Sequence, residues 1–127
     1  MDLGKYFAKA NGTGILATAD EEGNVDLAIY AKPVVVDRNT IAFVMRERLS
    51  HQNIEDNPKA AYMFIEKAGG KGLRLYLAME REETNSSIVN KIIAEHPEIC
   101  PAQDEANKYL VLFKVEKIRE LVGEKTL

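Results

Sequence analysis

The sequence is poor in the residues that mark several protein classes. Its 127 residues include one cysteine, Cys100, and no tryptophan. A single cysteine excludes an internal disulfide framework and is typical of a reducing compartment. No apolar run is long enough to span a bilayer, and the first twelve residues, MDLGKYFAKANG, lack the apolar core of a signal peptide. We therefore expect a soluble, cytoplasmic protein with no membrane partner.

An excess of positive charge is also lacking. Lysine and arginine total 17 against 20 aspartates and glutamates, which gives a net charge of -3, and aromatic residues make up only 7% of the chain. Proteins that bind single-stranded nucleic acid combine a basic groove with stacking aromatic side chains. We therefore expect no nucleic-acid partner. The segment GTG at residues 12–14 is too short to be a glycine-rich phosphate loop.

The chain does contain enough apolar residues for one core. Hydrophobic residues make up 46% of the sequence and charged residues 29%, which is an ordinary globular balance. No linker, repeat or low-complexity segment divides the chain. We expect residues 1–127 to form a single domain.

Alternation of apolar and polar residues predicts several strands with one buried face. Val25, Leu27 and Ile29 alternate in this way, and Pro33 indicates an edge, a bulge or a bend after them because proline cannot donate to a sheet. Residues 86–97 change to helical spacing. About six strands joined mostly by tight turns are expected, with helical insertions after the third and fifth, which favours an antiparallel barrel or sandwich.

The segment RERLSHQNIEDNP, residues 46–58, is typical of a short helix that follows a strand directly. With Ser50 as the N-cap, Leu49 and Ile54 take the two positions of a hydrophobic staple. The first amides of such a helix have no partner within it and favour an anion. Arg46 and Arg48 precede these amides. The segment is therefore either a phosphate site or simply a helix start with solvated arginines, and the residues alone leave both open.

Three segments in order resemble a known family. They are GILATADEEGNVDLAIYAKP, TIAFVMRERLSHQNIEDNPKAAYMF and GLRLYLAMERE. Together they look like the FMN-binding split-barrel family related to pyridoxamine 5′-phosphate oxidase, over residues 12–118. The resemblance implies a mainly β fold with a few helices, a six-stranded antiparallel Greek-key split barrel. It also implies a homodimer with FMN at the subunit interface.

The resemblance also implies a set of cofactor-binding residues. The FMN phosphate in this family lies at the end of the third strand and the start of the following helix, and the flavin ring lies along the second strand, largely against backbone groups. The phosphate residues carried over are Arg46, Arg48, Leu49 and Ser50, with His51 and Asn53. The ring residues carried over are Ala28, Ile29, Tyr30 and Ala31.

These residues predict an FMN-binding flavoprotein, either an oxidoreductase or an electron carrier that uses hydride or single-electron transfer at the flavin. A non-catalytic flavin sensor or storage protein is the alternative that the sequence leaves open. A pyridoxamine 5′-phosphate oxidase-like enzyme is a further alternative, but we find no second basic cluster in the sequence for a substrate phosphate. His96 and Cys100 have no third ligand, so we expect neither a metal site nor a catalytic cysteine.

Overall fold

The computed structural model describes residues 1–46, 49–84, 86–95 and 108–127. The helices in these ranges are α1 (Leu3–Lys9), α2 (Leu49–Asp56) and α3 (Ser86–Glu95). The strands are β1 (Gly12–Ala19), β2 (Val25–Tyr30), β3 (Val34–Asp37), β4 (Thr40–Arg46), β5 (Lys59–Glu66), β6 (Gly72–Glu83) and β7 (Lys108–Glu120). Among the described residues, none of the helices is long and apolar enough to cross a membrane.

All described strands lie in one antiparallel sheet with the order β2-β1-β5-β6-β7-β4-β3. The two edge strands, β2 and β3, are consecutive in the chain and are joined by residues 31–33 alone. A link this short spans at most about 14 Å, so the sheet curls until its edges are near each other. The fold is the mainly β antiparallel Greek-key split barrel that the resemblance implies. The described ranges contain seven strands in place of the expected six, because the chain bends at Pro33 and β3 pairs with β4.

The barrel interior is formed by the inward side chains of alternating strand residues. Fully buried aromatic rings include Phe43, Tyr62, Phe64 and Phe113. Helix α1 closes one end of the barrel, where the ring of Phe7 packs edge-on against that of Phe64 with centroids 5.4 Å apart. This arrangement buries the apolar face of α1 and leaves the other end of the barrel for α2.

Lys32, in the link between β2 and β3, holds α1 in place. Its Nζ atom donates hydrogen bonds to the carbonyl oxygens of Phe7 and Ala10, both at 2.9 Å. Carbonyls at the end of a helix have no partner within it, and a lysine there also complements the helix dipole. The structure therefore gives Lys32 a role in capping α1.

Tyr62 fastens the same link from inside the barrel. Its hydroxyl donates to the carbonyl oxygens of Tyr30 and Ala31, at 3.3 and 3.1 Å. The side chain is fully buried, and this burial raises the pKa of Tyr62 well above its ordinary value. The hydroxyl therefore stays protonated and remains a donor throughout the neutral range.

Tyr62→Phe is expected to lower the free energy of unfolding by about 0.5–1.5 kcal/mol, the usual contribution of one hydrogen bond. Urea unfolding near neutral pH measures the change. Tyr76→Phe is the matched control, because the Tyr76 hydroxyl makes no hydrogen bond to any described residue. Equal effects in the two variants would show that the Tyr62 hydroxyl does not stabilise the link.

The difference in the free energy of unfolding between the wild type and Tyr62→Phe should also become smaller as the pH rises above 10. The pKa of Tyr62 is raised from 10.0 in the folded state, so above that value the unfolded chain loses a proton that the folded chain keeps. Stability then falls with pH. Phenylalanine has no such proton. Tyr6 also has a raised pKa, through its burial and Glu66, but it is present in both proteins and cancels.

Candidate functional site

Helix α2 closes the second end of the barrel and is anchored to β1. Ile54 of α2 is buried in the main core, with 2% of its surface exposed. Asn53 is also buried, and its Nδ2 atom donates to the Oγ1 atom of Thr18 at 3.1 Å. Because Thr18 is an inward-facing residue of β1, this hydrogen bond sets the depth at which α2 lies in the barrel end.

His51 ties the first turn of α2 to β6 and β7. Its ring stacks on that of Tyr109 with centroids 4.0 Å apart. Its Nδ1 atom lies 3.0 Å from Oε1 of Glu55, and its Nε2 atom contacts Oε1 of Glu82. Each ring nitrogen therefore faces a carboxylate oxygen, and these two contacts together with the stacking on Tyr109 fix the orientation of the ring.

The position of Ser50 differs from the expected N-cap. Helix α2 begins at Leu49, so Ser50 is the second helical residue. The contacts of His51 and Asn53 explain the shift, because tertiary anchoring of α2 outweighs the local preference of serine for the cap. The amide of Ser50 nevertheless remains among the four that have no acceptor within the helix.

Ser50 is a largely buried residue whose hydroxyl makes no hydrogen bond within the described ranges. Only 6% of the residue is exposed, but its oxygen is not among the fully buried polar atoms that lack a partner. The hydroxyl therefore remains accessible to a water or a ligand. The hydroxyl and the first amides of α2 together offer donors to an oxyanion.

Two cations lie where the sheet approaches α2. Arg46 is the last residue of β4, three residues before Leu49, and it is paired with Lys108 at the start of β7. This pairing concentrates positive charge at the point where β4 ends. Arg46 shares the sheet face of Val44, whereas His51 packs on the opposite face with Tyr109. Lys108 was not expected from the sequence, because the register of β4 and β7, not local spacing, brings it to Arg46.

The residues expected along the flavin ring lie on one edge strand but on both of its faces. Ala28 and Tyr30 are half-buried, and the ring of Tyr30 packs edge-on against Phe43 with centroids 5.6 Å apart. Ile29 points outward and is 80% exposed, and Ala31 follows the end of β2. Only backbone groups of these four residues can face a ligand together. No described strand pairs with the outer edge of β2, although the carbonyl oxygens of Tyr30 and Ala31 accept from Tyr62.

Four further residues were singled out from the sequence: Leu49, Arg48, His96 and Cys100. Leu49 begins α2 and is 52% exposed. Arg48 lies outside the described residues, as do His96 and Cys100. Within the described ranges, no group of three potential metal ligands is present.

Comparison with known proteins identifies the family. The family model described as pyridoxamine 5′-phosphate oxidase matches residues 4–121, almost the whole chain. The chain belongs to the pyridoxamine 5′-phosphate oxidase family. No curated protein matches the sequence at a significant level.

Solved structures with this family's fold resemble the chain over most of its length. HupZ from Group A Streptococcus is 20% identical, with 92% of this chain and 90% of that chain covered and a TM-score of 0.74. An FMN-binding protein from Syntrophomonas wolfei subsp. wolfei is 15% identical, with 94% and 83% covered and a TM-score of 0.71. An F420 reductase is 17% identical, with 91% and 94% covered and a TM-score of 0.70. At these identities the likeness shows a shared fold.

The hydrogen bond between Asn53 and Thr18 should couple the two residues energetically. In a double-mutant cycle of Asn53→Ala and Thr18→Val, we expect a coupling of about 0.5–1.5 kcal/mol in the free energy of unfolding. The exposed pair of Lys59 and Glu116, 2.7 Å apart, is the control and should couple more weakly. Additive effects at Asn53 and Thr18 would show that α2 is not held by this bond.

Proposed function

We propose that the protein binds FMN, with the flavin phosphate at the first turn of α2. The observation that carries this proposal is the Ser50 hydroxyl, which makes no hydrogen bond to a described residue and belongs to the first turn of α2, where the amides also lack acceptors within the helix. Membership of the pyridoxamine 5′-phosphate oxidase family supports flavin binding at the family level. The FMN-binding structural neighbour supports the choice of FMN.

The donor set fits a phosphate monoester. Ser50 supplies a hydroxyl and an amide, and Arg46 and Lys108 supply positive charge from the sheet. We also assign Arg48 to this site, from its position in the sequence. The ring of His51 is committed to two carboxylates and the amide side chain of Asn53 to Thr18. These two side chains therefore position α2, and His51 can contribute only its backbone amide to the ligand.

The same proposal places the flavin ring along the open edge of β2, against backbone groups of Ala28–Ala31. Bound FMN supplies hydride or single-electron transfer, and the chain binds it, orients it and shields it from water. We therefore propose a cytoplasmic oxidoreductase or electron carrier. A flavin sensor or storage protein would use the same site. Steady-state turnover with NADH or NADPH and an electron acceptor separates these roles.

The outward face of β2 supports a homodimer with the flavin at the interface. Val25, Leu27 and Ile29 are 80%, 69% and 80% exposed, and all three point to the same side of the sheet. Their neighbours across the sheet include Ile15 and Met63. A continuous exposed apolar patch of this kind marks an interaction surface. We propose that a second copy of the chain covers it.

The phosphate site predicts that FMN binds more tightly than riboflavin, which lacks the phosphate. Ser50→Ala should weaken FMN binding by about 10-fold or more, since a hydrogen bond to a charged group contributes about 1.5–3 kcal/mol. Riboflavin binding should not change. Ser87→Ala is the matched control, because Ser87 holds the same second position in α3 and is exposed. Calorimetric titration of the wild type and both variants with each of the two ligands measures these affinities.

Ser50→Ala should change the affinity for FMN without changing the stability of the apoprotein. Because Ser50 is not the N-cap, the variant should unfold at nearly the temperature of the wild-type apoprotein. Equal affinities of the wild-type protein for FMN and riboflavin would contradict the phosphate site. Tighter binding of F420 than of FMN would contradict the choice of cofactor.

The dimer proposal predicts that Ile29→Lys raises the dissociation constant of the dimer by at least about 10-fold, which is about 1.4 kcal/mol, because it places a charge in the apolar contact. Val36→Lys on the other edge strand is the control, since Val36 is 48% exposed and lies outside the patch. Sedimentation equilibrium of the two variants measures the effect. A wild-type protein that sediments as a 14.2 kDa monomer would contradict the proposal.

A further inference from the structure

The register of β6 and β7 brings together a second set of cations on the outer face of the sheet. Arg74 of β6 is paired with Arg119 of β7, and Tyr76 is paired with Lys117. Beyond Arg119, an isolated bridge to Thr126 places that residue alongside. Arg74, Lys117 and Arg119 are therefore close neighbours on one face, although Lys117 and Arg119 lie more than 40 positions after Arg74 in the sequence.

Arg74 is held in a fixed orientation by the chain that follows β7. Its Nε atom donates to the carbonyl oxygen of Glu120 at 2.9 Å, and its Nη2 atom donates to that of Gly123. This turn is closed by hydrogen bonds from the amide of Glu120 to Lys125 and from the amide of Leu127 to Ile118. The Nη1 atom of Arg74 donates to no described residue and is available to a ligand.

Arg119 gives the stronger evidence for a bound anion. Its guanidinium lies over the ring of Tyr76, 5.5 Å from the centroid. Its Nε atom is buried and has no hydrogen-bond partner among the residues that the structure describes. A buried N–H of a charged group that makes no hydrogen bond is costly, and a second guanidinium directly opposite adds repulsion.

Acidic side chains do not neutralise this cluster. No described carboxylate forms an ion pair with Arg74, Lys117 or Arg119. The neighbouring acids are engaged elsewhere, since Glu116 pairs with Lys59 at 2.7 Å and Glu120 lies 3.9 Å from Lys125. Three cations and the unpartnered Nε–H group of Arg119 lie on one face of the sheet. They therefore favour the binding of an anion from outside the chain.

We propose that Arg74, Lys117 and Arg119 form a second oxyanion site, which takes the phosphate group of a small molecule. The planar fork of an arginine matches the oxygens of a phosphate, and Tyr76 holds one fork flat. The site does not depend on FMN binding at α2. Lys108 and Arg119 are eleven residues apart on β7, about 36 Å at 3.3 Å per residue, so one phosphate cannot occupy both sites.

The three cations lie near the surface that we propose for the dimer interface of the flavoprotein. One row of paired residues crosses the outer face from Ile29 through Ile15 and Met63 to Arg74 and Arg119. The cations therefore lie on the same face as the apolar patch of β2, at its far margin. A ligand held there by its phosphate would lie next to the surface that we assign to the second copy.

Titration of the isotopically labelled protein with inorganic phosphate, followed by proton–nitrogen NMR at constant ionic strength, tests the site directly. We expect saturable shifts of the Arg119 side-chain Nε–H signal and of the backbone amides of Tyr76 and Arg119. Arg119→Gln should lower the phosphate affinity at these signals by about 10-fold or more. Lys117→Gln should lower it as well, which covers the case in which Arg119→Gln does not fold.

The control is Arg81→Gln, which makes the same change at an exposed arginine that already pairs with Glu83 at 2.5 Å. It should leave the affinity at the Arg119 signals unchanged. The proposal is overturned if phosphate produces no saturable shift, if chloride produces the same shift, or if Arg119→Gln binds phosphate as tightly as the wild type. Shifts that follow protein concentration instead of phosphate would also overturn it, because the arginines would then contact a second copy.

Discussion

The short link between β2 and β3 is the constraint on which the rest of the structure depends. Residues 31–33 must join strands that form opposite edges of one sheet. The sheet can meet this condition only by curling into a barrel, and Tyr62 and Lys32 hold the link from inside and from α1. Curling brings the edges near each other without pairing them, so β2 keeps an open backbone edge and an uncovered apolar face. Both features proposed for the cofactor and the dimer follow from this incomplete closure.

Much of this arrangement could be predicted from the sequence where the signals are local. The alternation in residues 25–29 correctly indicated β2, and Pro33 correctly indicated a break after it. A short helix with Ser50 as its N-cap was also expected. The helix forms, but Ser50 is its second residue, because the start of α2 depends on the contacts of His51 and Asn53 with side chains 31 and 35 residues away. Local cap preference contains no information about such contacts.

The cationic clusters could not be predicted, because each depends on strand register. Arg46 meets Lys108, and Arg74 meets Arg119, only when β7 pairs with β4 on one side and with β6 on the other. A shift of one residue would move either partner to the opposite face. The net charge of -3 gave no indication of these clusters, since a total says nothing about local distribution. The sequence analysis therefore found no second basic cluster, whereas the folded chain contains one.

The central claim is that the first turn of α2 holds the phosphate of FMN while the ring follows the open edge of β2. A crystal structure of the protein grown with FMN tests it most directly. The account predicts the phosphate within hydrogen-bond distance of the Ser50 hydroxyl and the first amides of α2, with the ring against the backbone of β2 and a second copy beside it. A flavin phosphate bound instead between Arg74 and Arg119, with Ser50 contacting only water, would contradict it.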